Sequence, residues 1–234
     1  MGIARTSTCE AVQLTHPLCR PLETTMTQVD PGLWCEVCTP NLEGRAALFL
    51  DRDGVIVADT HYLGRPEDLR IIEGAVSAIS RCNALGIPVV IVTNQSGIGR
   101  GYYDWVAFQA VQEALCVALR QGGATLDAVL ACAYHADGLE RFRVANHAWR
   151  KPNPGMILEA GRLMNVHLSR SWIVGDRLGD IAAGRSAGLR GGILISAGRN
   201  EERQTIAGDD ARFTKGVAAN LAAAVAMLLE QKLL

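Results

Sequence analysis

The sequence predicts an α/β fold in which a parallel β-sheet is covered by helices on both faces. Two observations carry this prediction. Five short runs, apolar along most of their length, alternate with helical stretches from Ala46 onwards. Strands that are apolar on both sides are typical of buried parallel sheets, and their alternation with helices indicates β-α-β units. The expected architecture is Rossmann-like.

Each element follows from its own run of residues. The strands are expected at 47–50 (ALFL), 87–92 (IPVVIV), 126–133 (LDAVLACA), 171–175 (SWIVG) and 191–195 (GGILI). The helices are expected at 74–85, 104–121, 154–165, 178–188 and 217–231. Residues 27–45 carry Pro, Gly and Asn turn signals without periodicity, which predicts a loop. We therefore divide the chain into an irregular extension, 1–44, and one domain, 45–234.

Composition excludes several classes of function. The chain has 234 residues, is 49% apolar and 20% charged, and carries a net charge of −1. Its scattered charges do not indicate nucleic-acid or membrane partners, and no run approaches the roughly 20 apolar residues of a membrane helix. Residues 1–25 lack the apolar core of a secretory signal. We expect a cytoplasmic monomer whose seven cysteines, including the Cys35 and Cys38 pair, are reduced thiols with no shared role.

Polar residues follow the strands where ligands bind in such sheets, beyond the carboxyl ends. Asp51 and Asp53 come directly after the first strand. Capping of backbone N–H groups by a side chain explains one aspartate but not both. Two neighbouring carboxylates repel each other and favour a hard cation such as Mg²⁺. The fourth strand ends in a second acidic pair, Asp176 and Asp180.

The other strand ends supply groups that bind phosphate. The second strand is followed by Thr93-Asn94-Gln95-Ser96-Gly97, which offers hydroxyl, amide and backbone N–H donors. Lys151 stands before the helix expected at 154–165. A carboxylate nucleophile, a hydroxyl, an ammonium and further carboxylates together indicate phosphoryl transfer.

These motifs, in this order, resemble the four motifs of the haloacid dehalogenase superfamily of phosphatases. ALFLDRDGVI, VVIVTNQSGIGRG and RKPNPGM are similar to its heptose 1,7-bisphosphate phosphatase and histidinol-phosphatase branch. The resemblance implies that Asp51 is the nucleophile and that Asp53 is the general acid and base. It implies phosphate binding by Thr93, Asn94 and Lys151. It also implies Mg²⁺ bound by Asp51, the Asp53 carbonyl and Asp176, with Asp180 in support.

The resemblance leaves the substrate open. A heptose bisphosphate is the first expectation, histidinol phosphate the second, and another small sugar or polyol phosphate the third. A non-catalytic phosphate-binding protein on the same fold is the alternative from a different class. The substrate is expected to contact Arg150, Gln95, Ser96 and Arg100. His61 and Tyr62 are further candidates, although local packing is the favoured interpretation of both. Arg52 and Arg177 are interpreted as solvated or structural ion pairs.

Two loops determine access to the predicted site. Neither the loop after Asp53 nor residues 134–150 is long enough for a large cap domain, so the pocket is expected to be open.

In the branch, the second loop carries four zinc ligands at positions that here read Cys132, Tyr134, His147 and Trp149. Because two of the four cannot bind zinc, structural Zn²⁺ is not expected, even with His135 as a third ligand. Aromatic packing by Tyr134 and Trp149 is expected to replace it.

Overall fold

The computed structural model describes residues 25–26, 30–196 and 213–234. Its strands are β1 (Thr25–Met26), β2 (Leu33–Val37), β3 (Leu48–Leu50), β4 (Val89–Asn94), β5 (Ala128–Cys132), β6 (Trp172–Gly175), β7 (Gly191–Ile195) and β8 (Thr214–Ala218). Its helices are α1 (Ala75–Ala84), α2 (Ser96–Gly99), α3 (Trp105–Gln121), α4 (Gly155–Met164), α5 (Leu178–Ser186) and α6 (Leu221–Glu230). The predicted α/β architecture is confirmed.

The strands of the described residues form one sheet in the order β1-β2-β5-β4-β3-β6-β7-β8. All neighbours from β5 to β8 are parallel, so their carboxyl ends meet at one edge. The chain passes from β3 to β4 and β5 in one direction, then returns to β6 on the other side of β3. The direction in which successive strands are added to the sheet therefore reverses between β3 and β6. This reversal opens a crevice between the carboxyl ends of these two parallel strands.

Helices cover both faces of the sheet because each of them buries an apolar stripe. One core contains Ile79 of α1, Leu115 of α3 and Leu228 of α6. The opposite core contains Ile157 of α4 and Ile181 of α5. Burying each such side chain contributes about 1.5–3 kcal/mol, so the two cores fix the helices on the sheet and hold the strand ends in place.

The expectation of a loop across 27–45 is wrong at Leu33–Val37. This segment is β2, which pairs antiparallel with β5 and joins the sheet. Its last four residues are buried, and pairing with β5 supplies their backbone hydrogen bonds. The turn signals on either side of the segment gave no indication of this pairing. Residues 1–24 and 27–29 lie outside the described part, and the division of the chain at residue 45 stays a prediction.

The predicted final helix begins too early. Residues 214–218 form β8, which pairs with β7, and the helix starts only at Leu221. Asn220 sets this start because its side-chain oxygen accepts a hydrogen bond from the Ala223 amide at 2.9 Å. Asp104 caps α3 in the same way, through the Ala107 amide at 2.9 Å.

The two loops near the strand ends contain short helical turns and no cap domain. A 3₁₀ turn, Pro66–Asp68, lies between β3 and α1, and another, Glu140–Phe142, lies between β5 and α4. Among the described helices, none has the length and apolar character needed to cross a membrane.

The cysteines differ in part from the expectation of reduced thiols. Cys35, Cys82, Cys116 and Cys132 are free and buried, and burial raises the pKa of each thiol. Cys38, by contrast, is disulfide-bonded, so the expectation is wrong at that residue.

Candidate active site

Asp51 lies at the end of β3, beside the point where the sheet reverses direction. Its backbone N–H donates to the Val174 carbonyl of β6 at 3.0 Å, which extends the strand pairing up to the site. The side chain is buried. Burial raises the pKa of the Asp51 carboxyl to about 7, nearby Asp180 and Asp53 add to this effect, and Lys151 opposes it.

Lys151 brings a buried positive charge to the same place. Its Nζ lies 2.9 Å from Asp51 Oδ1 and 2.6 Å from Asp180 Oδ1, and it donates to the Val92 carbonyl at 2.7 Å. Burial alone would lower the pKa of Lys151, but Asp180 and Asp51 outweigh burial and hold it above the ordinary value. The ammonium therefore stays charged and neutralises part of the acidic cluster.

Asn94 fixes the main chain at Lys151. Its Nδ2 donates to the Lys151 carbonyl and its Oδ1 accepts from the Lys151 N–H, both at 3.0 Å. The end of β4 is thereby joined to the loop that presents the ammonium. Asn94 also lines the cavity described below, and its predicted contact with phosphate stays a prediction.

Three carboxylates form the acidic cluster. Asp51, Asp176 and Asp180 each offer an oxygen within 4.8 Å of the other two. Burial, and then Asp180, raise the pKa of Asp176 to about 6. Among the described residues, none donates a hydrogen bond to its buried Oδ1, and Arg177 Nε lies 3.9 Å from this oxygen. Gly54, with φ at 81°, leaves room here, because a Cβ at this position would collide with the Asp176 side chain.

This donor set fits Mg²⁺. Oxygen ligands from carboxylates suit a hard divalent cation. The Lys151 ammonium and the Arg177 guanidinium, whose Nε lies 3.9 Å from Asp176 Oδ1, supply two positive charges against three carboxylates. The Asp176 oxygen that accepts no hydrogen bond from a described residue is available to bind such a cation. The Asp53 side chain is not a member of this cluster, and a ligand role for its backbone carbonyl stays a prediction.

A cavity of about 120 Å³ lies between these strand ends. Asp51, Asp53, Asp180 and Lys151 line its polar interior. The sequence-predicted residues Ser96 and Arg150 also line it. The volume is below the ~300–1,000 Å³ typical of sites that enclose a whole small molecule, so the cavity holds only part of a ligand.

Three further residues line the cavity: Asp59, His61 and Arg177. Of these, Asp59 was not predicted as a site residue, and Arg177 was interpreted as an ion pair. The exposed Arg177 guanidinium forms an ion pair with Asp59 at 3.1 Å, which agrees with its interpretation as an ion pair. The signal that could have found Arg177 is its position directly after Asp176 at a strand end. His61 was a candidate substrate contact for which local packing was favoured, and it reaches the cavity from the loop after β3.

Arg150 is the cation of the predicted substrate set that reaches the cavity. Its Nη1 donates to the Tyr134 carbonyl at 2.9 Å. Burial lowers the pKa of Arg150, and the nearby guanidinium groups of Arg100 and Arg177 lower it further. Several positive charges therefore lie close together at the edge of the cavity.

Gln95 and Arg100 differ from their expected positions. Gln95 is 2% exposed, and its amide contacts Asp53 and Thr93 rather than the cavity edge. Arg100 is absent from the cavity wall and instead donates to Tyr62 Oη and Asp137 Oδ2, each at 3.0 Å. Both are polar residues next to a strand end, and sequence alone does not reveal which way such side chains turn.

The loop before Arg150 is held by aromatic packing at Tyr134, as predicted. The Tyr134 ring stacks on His147 with centroids 4.2 Å apart, and its hydroxyl donates to Asp30 Oδ1 at 2.6 Å. Cys132 is buried in β5, and His135 contacts Arg100. In the described part of the chain, Cys132, His135 and His147 do not form a group of metal ligands. The absence of structural Zn²⁺ stays a prediction.

Comparisons with known proteins point to one family. Residues 148–224 match the model of the HAD-hydrolase-like family. Over 171 residues the chain is 48% identical to D-glycero-beta-D-manno-heptose-1,7-bisphosphate 7-phosphatase of Mesorhizobium japonicum, covering 71% of this chain and 77% of that protein.

Solved structures agree with the sequence relatives. A HAD-like phosphatase of Mesorhizobium loti is 41% identical, with a TM-score of 0.77 over 87% of this chain and 97% of that one. The D,D-heptose 1,7-bisphosphate phosphatase of B. bronchiseptica, complexed with magnesium and phosphate, is 31% identical, with a TM-score of 0.68 over 80% of this chain and 99% of that one. The chain is therefore a phosphatase that belongs to the haloacid dehalogenase superfamily, in the branch that contains the heptose bisphosphate phosphatases.

Proposed function

We propose that this protein is a Mg²⁺-dependent phosphomonoesterase that works through an aspartyl-phosphate on Asp51, with a heptose 1,7-bisphosphate as substrate. The observation that carries the proposal is the buried Asp51 carboxylate, 2.9 Å from the Lys151 ammonium, at the edge of a polar cavity. An anion beside a cation at the end of a parallel strand suits attack on a phosphoryl group whose oxygens Lys151 neutralises.

The reaction has two halves. In the first, an Asp51 oxygen forms a bond to phosphorus while the bond from phosphorus to the sugar oxygen breaks, and Asp53 gives a proton to that oxygen. In the second, Asp53 takes a proton from water, the water oxygen bonds to phosphorus, and the Asp51 carboxylate and free phosphate are released. A positioned acid and base contributes about 10²–10⁴-fold to such steps.

Other residues of the chain hold the transferring group. Lys151 and the Thr93 hydroxyl bind phosphoryl oxygens, and Asn94 keeps the Lys151 main chain in place. Asp51, Asp176 and Asp180 hold Mg²⁺. When bound, the cation neutralises charge that develops on the phosphoryl oxygens.

A bisphosphate fits the charge at the cavity edge better than histidinol phosphate does. Arg150 and Arg177 line the cavity, and Arg100 lies close enough to affect the pKa of Arg150. These guanidinium groups attract a second phosphate outside the cavity, whereas they repel the amino group of histidinol phosphate. The relatives named as 7-phosphatases support hydrolysis at the 7-phosphate.

A substrate panel tests the proposal. Phosphate release is measured with Mg²⁺ for heptose 1,7-bisphosphate, heptose 7-phosphate, histidinol phosphate and common sugar phosphates. We expect the highest kcat/KM for the bisphosphate, loss of activity with EDTA, and background activity in Asp51→Asn. Release from none of these compounds contradicts the phosphatase proposal and favours a non-catalytic phosphate-binding protein. A preference for histidinol phosphate contradicts the substrate assignment alone.

A further inference from the structure

Arg52 is a buried charge that lies between the two proposed catalytic aspartates in sequence. Its side chain is fully buried and lies over the Phe108 ring, 5.3 Å from the ring centroid. Its Nη2 donates to Asp53 Oδ1 at 3.1 Å and to Asp53 Oδ2 at 3.0 Å, and its Nε donates to Oδ1 at 3.2 Å. Both oxygens of Asp53 are therefore held from one side by a rigid, planar group.

Gln95 holds Asp53 from a second direction. Its Nε2 donates to Asp53 Oδ2 and to Thr93 Oγ1, each at 2.9 Å. Because Thr93 Oγ1 accepts this bond, its own hydrogen is free to donate elsewhere, for example to a phosphoryl oxygen. One amide therefore orients two side chains of the site.

The direction of the Gln95 amide is itself determined by two donors. Its Oε1 accepts from Arg52 Nη2 at 3.1 Å and from the Tyr103 hydroxyl at 2.5 Å. A guanidinium can only donate, so the amide oxygen must face Arg52 and the NH₂ group must face Asp53 and Thr93. Burial raises the pKa of Tyr103 to about 12, so its hydroxyl keeps its proton.

The sequence explains how Tyr103 reaches Gln95. A Cβ at Gly97 would collide with the Tyr103 ring, so glycine at this position lets the ring lie against the turn after β4. Arg52, Gln95 and Tyr103, here called the Asp53 support, are thus packed from three separate segments. The Asp53 side chain keeps 24% of its surface exposed and lines the cavity.

We infer that the Asp53 support is a set of positioning residues that aims the Asp53 carboxyl at the oxygen of the leaving sugar. The inference rests on the proposed function, in which Asp53 protonates that oxygen. A side chain with rotatable bonds delivers a proton only when its oxygen lies in hydrogen-bond reach, and misplacement by about 1 Å can cost roughly 10²-fold in rate. The support acts on Asp53 and not on the substrate.

The test compares two leaving groups that differ in their need for a proton. A sugar alkoxide needs the proton from Asp53, whereas p-nitrophenolate is a stable anion and leaves without one. The measured quantity is kcat/KM for heptose 1,7-bisphosphate divided by kcat/KM for p-nitrophenyl phosphate. This ratio reports the step in which the leaving group departs, and it cancels effects on Lys151, Thr93 or the fraction of folded protein.

We expect Gln95→Leu to lower the ratio about tenfold or more, because it removes the amide that contacts Asp53 directly. Tyr103→Phe should lower the ratio by a smaller factor, because it removes only one of the hydrogen bonds that orient Gln95. Arg52→Lys, which keeps the charge but not the two-point contact, is expected to fall between wild type and Arg52→Met. Gln112→Leu is the matched control, because Gln112 is also a fully buried glutamine but lies along α3. Its ratio is expected to equal that of wild type.

The outcomes separate this inference from the proposed function. Asp53→Asn measures the full effect of the acid, and an unchanged ratio in that variant contradicts the acid role of Asp53. If Asp53→Asn lowers the ratio while Gln95→Leu reduces both kcat/KM values equally, the support is merely structural and the inference is wrong. If Gln95→Leu does not fold, the same comparison is decided by Tyr103→Phe and Arg52→Lys.

Discussion

Lys151 is the side chain on which the electrostatics of the site depend. It is the ammonium beside two buried carboxylates, and its own surface is almost fully covered. Removing one partner of a buried ion pair leaves the other charge without compensation, which costs about 3–5 kcal/mol. The same change removes the cation proposed to hold the phosphoryl group.

We expect Lys151→Met to abolish phosphatase activity and to lower the free energy of unfolding of the metal-free protein by about 3–5 kcal/mol. Urea unfolding followed by circular dichroism in EDTA measures this change. Lys232→Met, at an exposed lysine near the end of the chain, is the control and should change stability by less than about 0.5 kcal/mol. Equal stabilities for the two variants would contradict the buried ion pair.

The sequence predicted the charged residues of the site better than its amides. Asp51, Asp176 and Asp180 were identified because they follow strands, and Lys151 because it precedes a helix. The structure brings the four together. A buried charge requires partners, so its type and position already limit where it can lie. Gln95 differs, because a neutral amide is satisfied equally well by substrate or by neighbouring side chains, and only packing decides between them.

The strand β2 shows what local sequence patterns miss. It forms because β5 offers a free edge, and this partner is far away in the sequence. Its charged residue, Glu36, is nevertheless 1% exposed, and the Trp34 indole is the hydrogen-bonding group that lies near its carboxylate among the described residues. The segment was predicted as a loop because Pro, Gly and Asn turn signals surround it and no periodicity marks the strand.

Because of Glu36, the free energy of unfolding of the protein should depend on pH. Burial raises the pKa of Glu36 from 4.5 to about 7 in the folded protein. The folded state therefore binds the proton more tightly than the unfolded state does. The stability linked to this group is fully present below about pH 4.5 and is lost as the pH rises through about 7.

We expect Glu36→Gln to stabilise the protein relative to wild type at pH 8 by about 1–3 kcal/mol and to have little effect near pH 5. The measurement is the free energy of unfolding in urea at both pH values. Glu43→Gln, at an exposed position, serves as the control and should show a smaller pH-dependent difference. A Glu36→Gln effect of the same size at both pH values contradicts a buried, neutral carboxyl.

At the scale of the whole molecule, the order of the strands in the sheet determines where the site lies. Alternating strands and helices predicted a parallel sheet, and polar residues after the strands predicted the edge at which they meet. The order of the strands was not predicted from periodicity, since pairing between distant segments leaves no local pattern. The structure shows the reversal between β3 and β6, and this reversal brings Asp51 next to Asp176 and Asp180.

If Asp51 carries the phosphoryl group during the reaction, the covalent intermediate can be trapped on that residue. Asp53→Asn is mixed with p-nitrophenyl phosphate and Mg²⁺, because this substrate needs no acid and the variant lacks the base that releases phosphate. The reaction is quenched in acid and reduced with borohydride, which converts an aspartyl-phosphate to homoserine, and peptides are sequenced by mass spectrometry. We predict homoserine at residue 51 alone. Homoserine at residue 176 or 180, or none during active turnover, would contradict it.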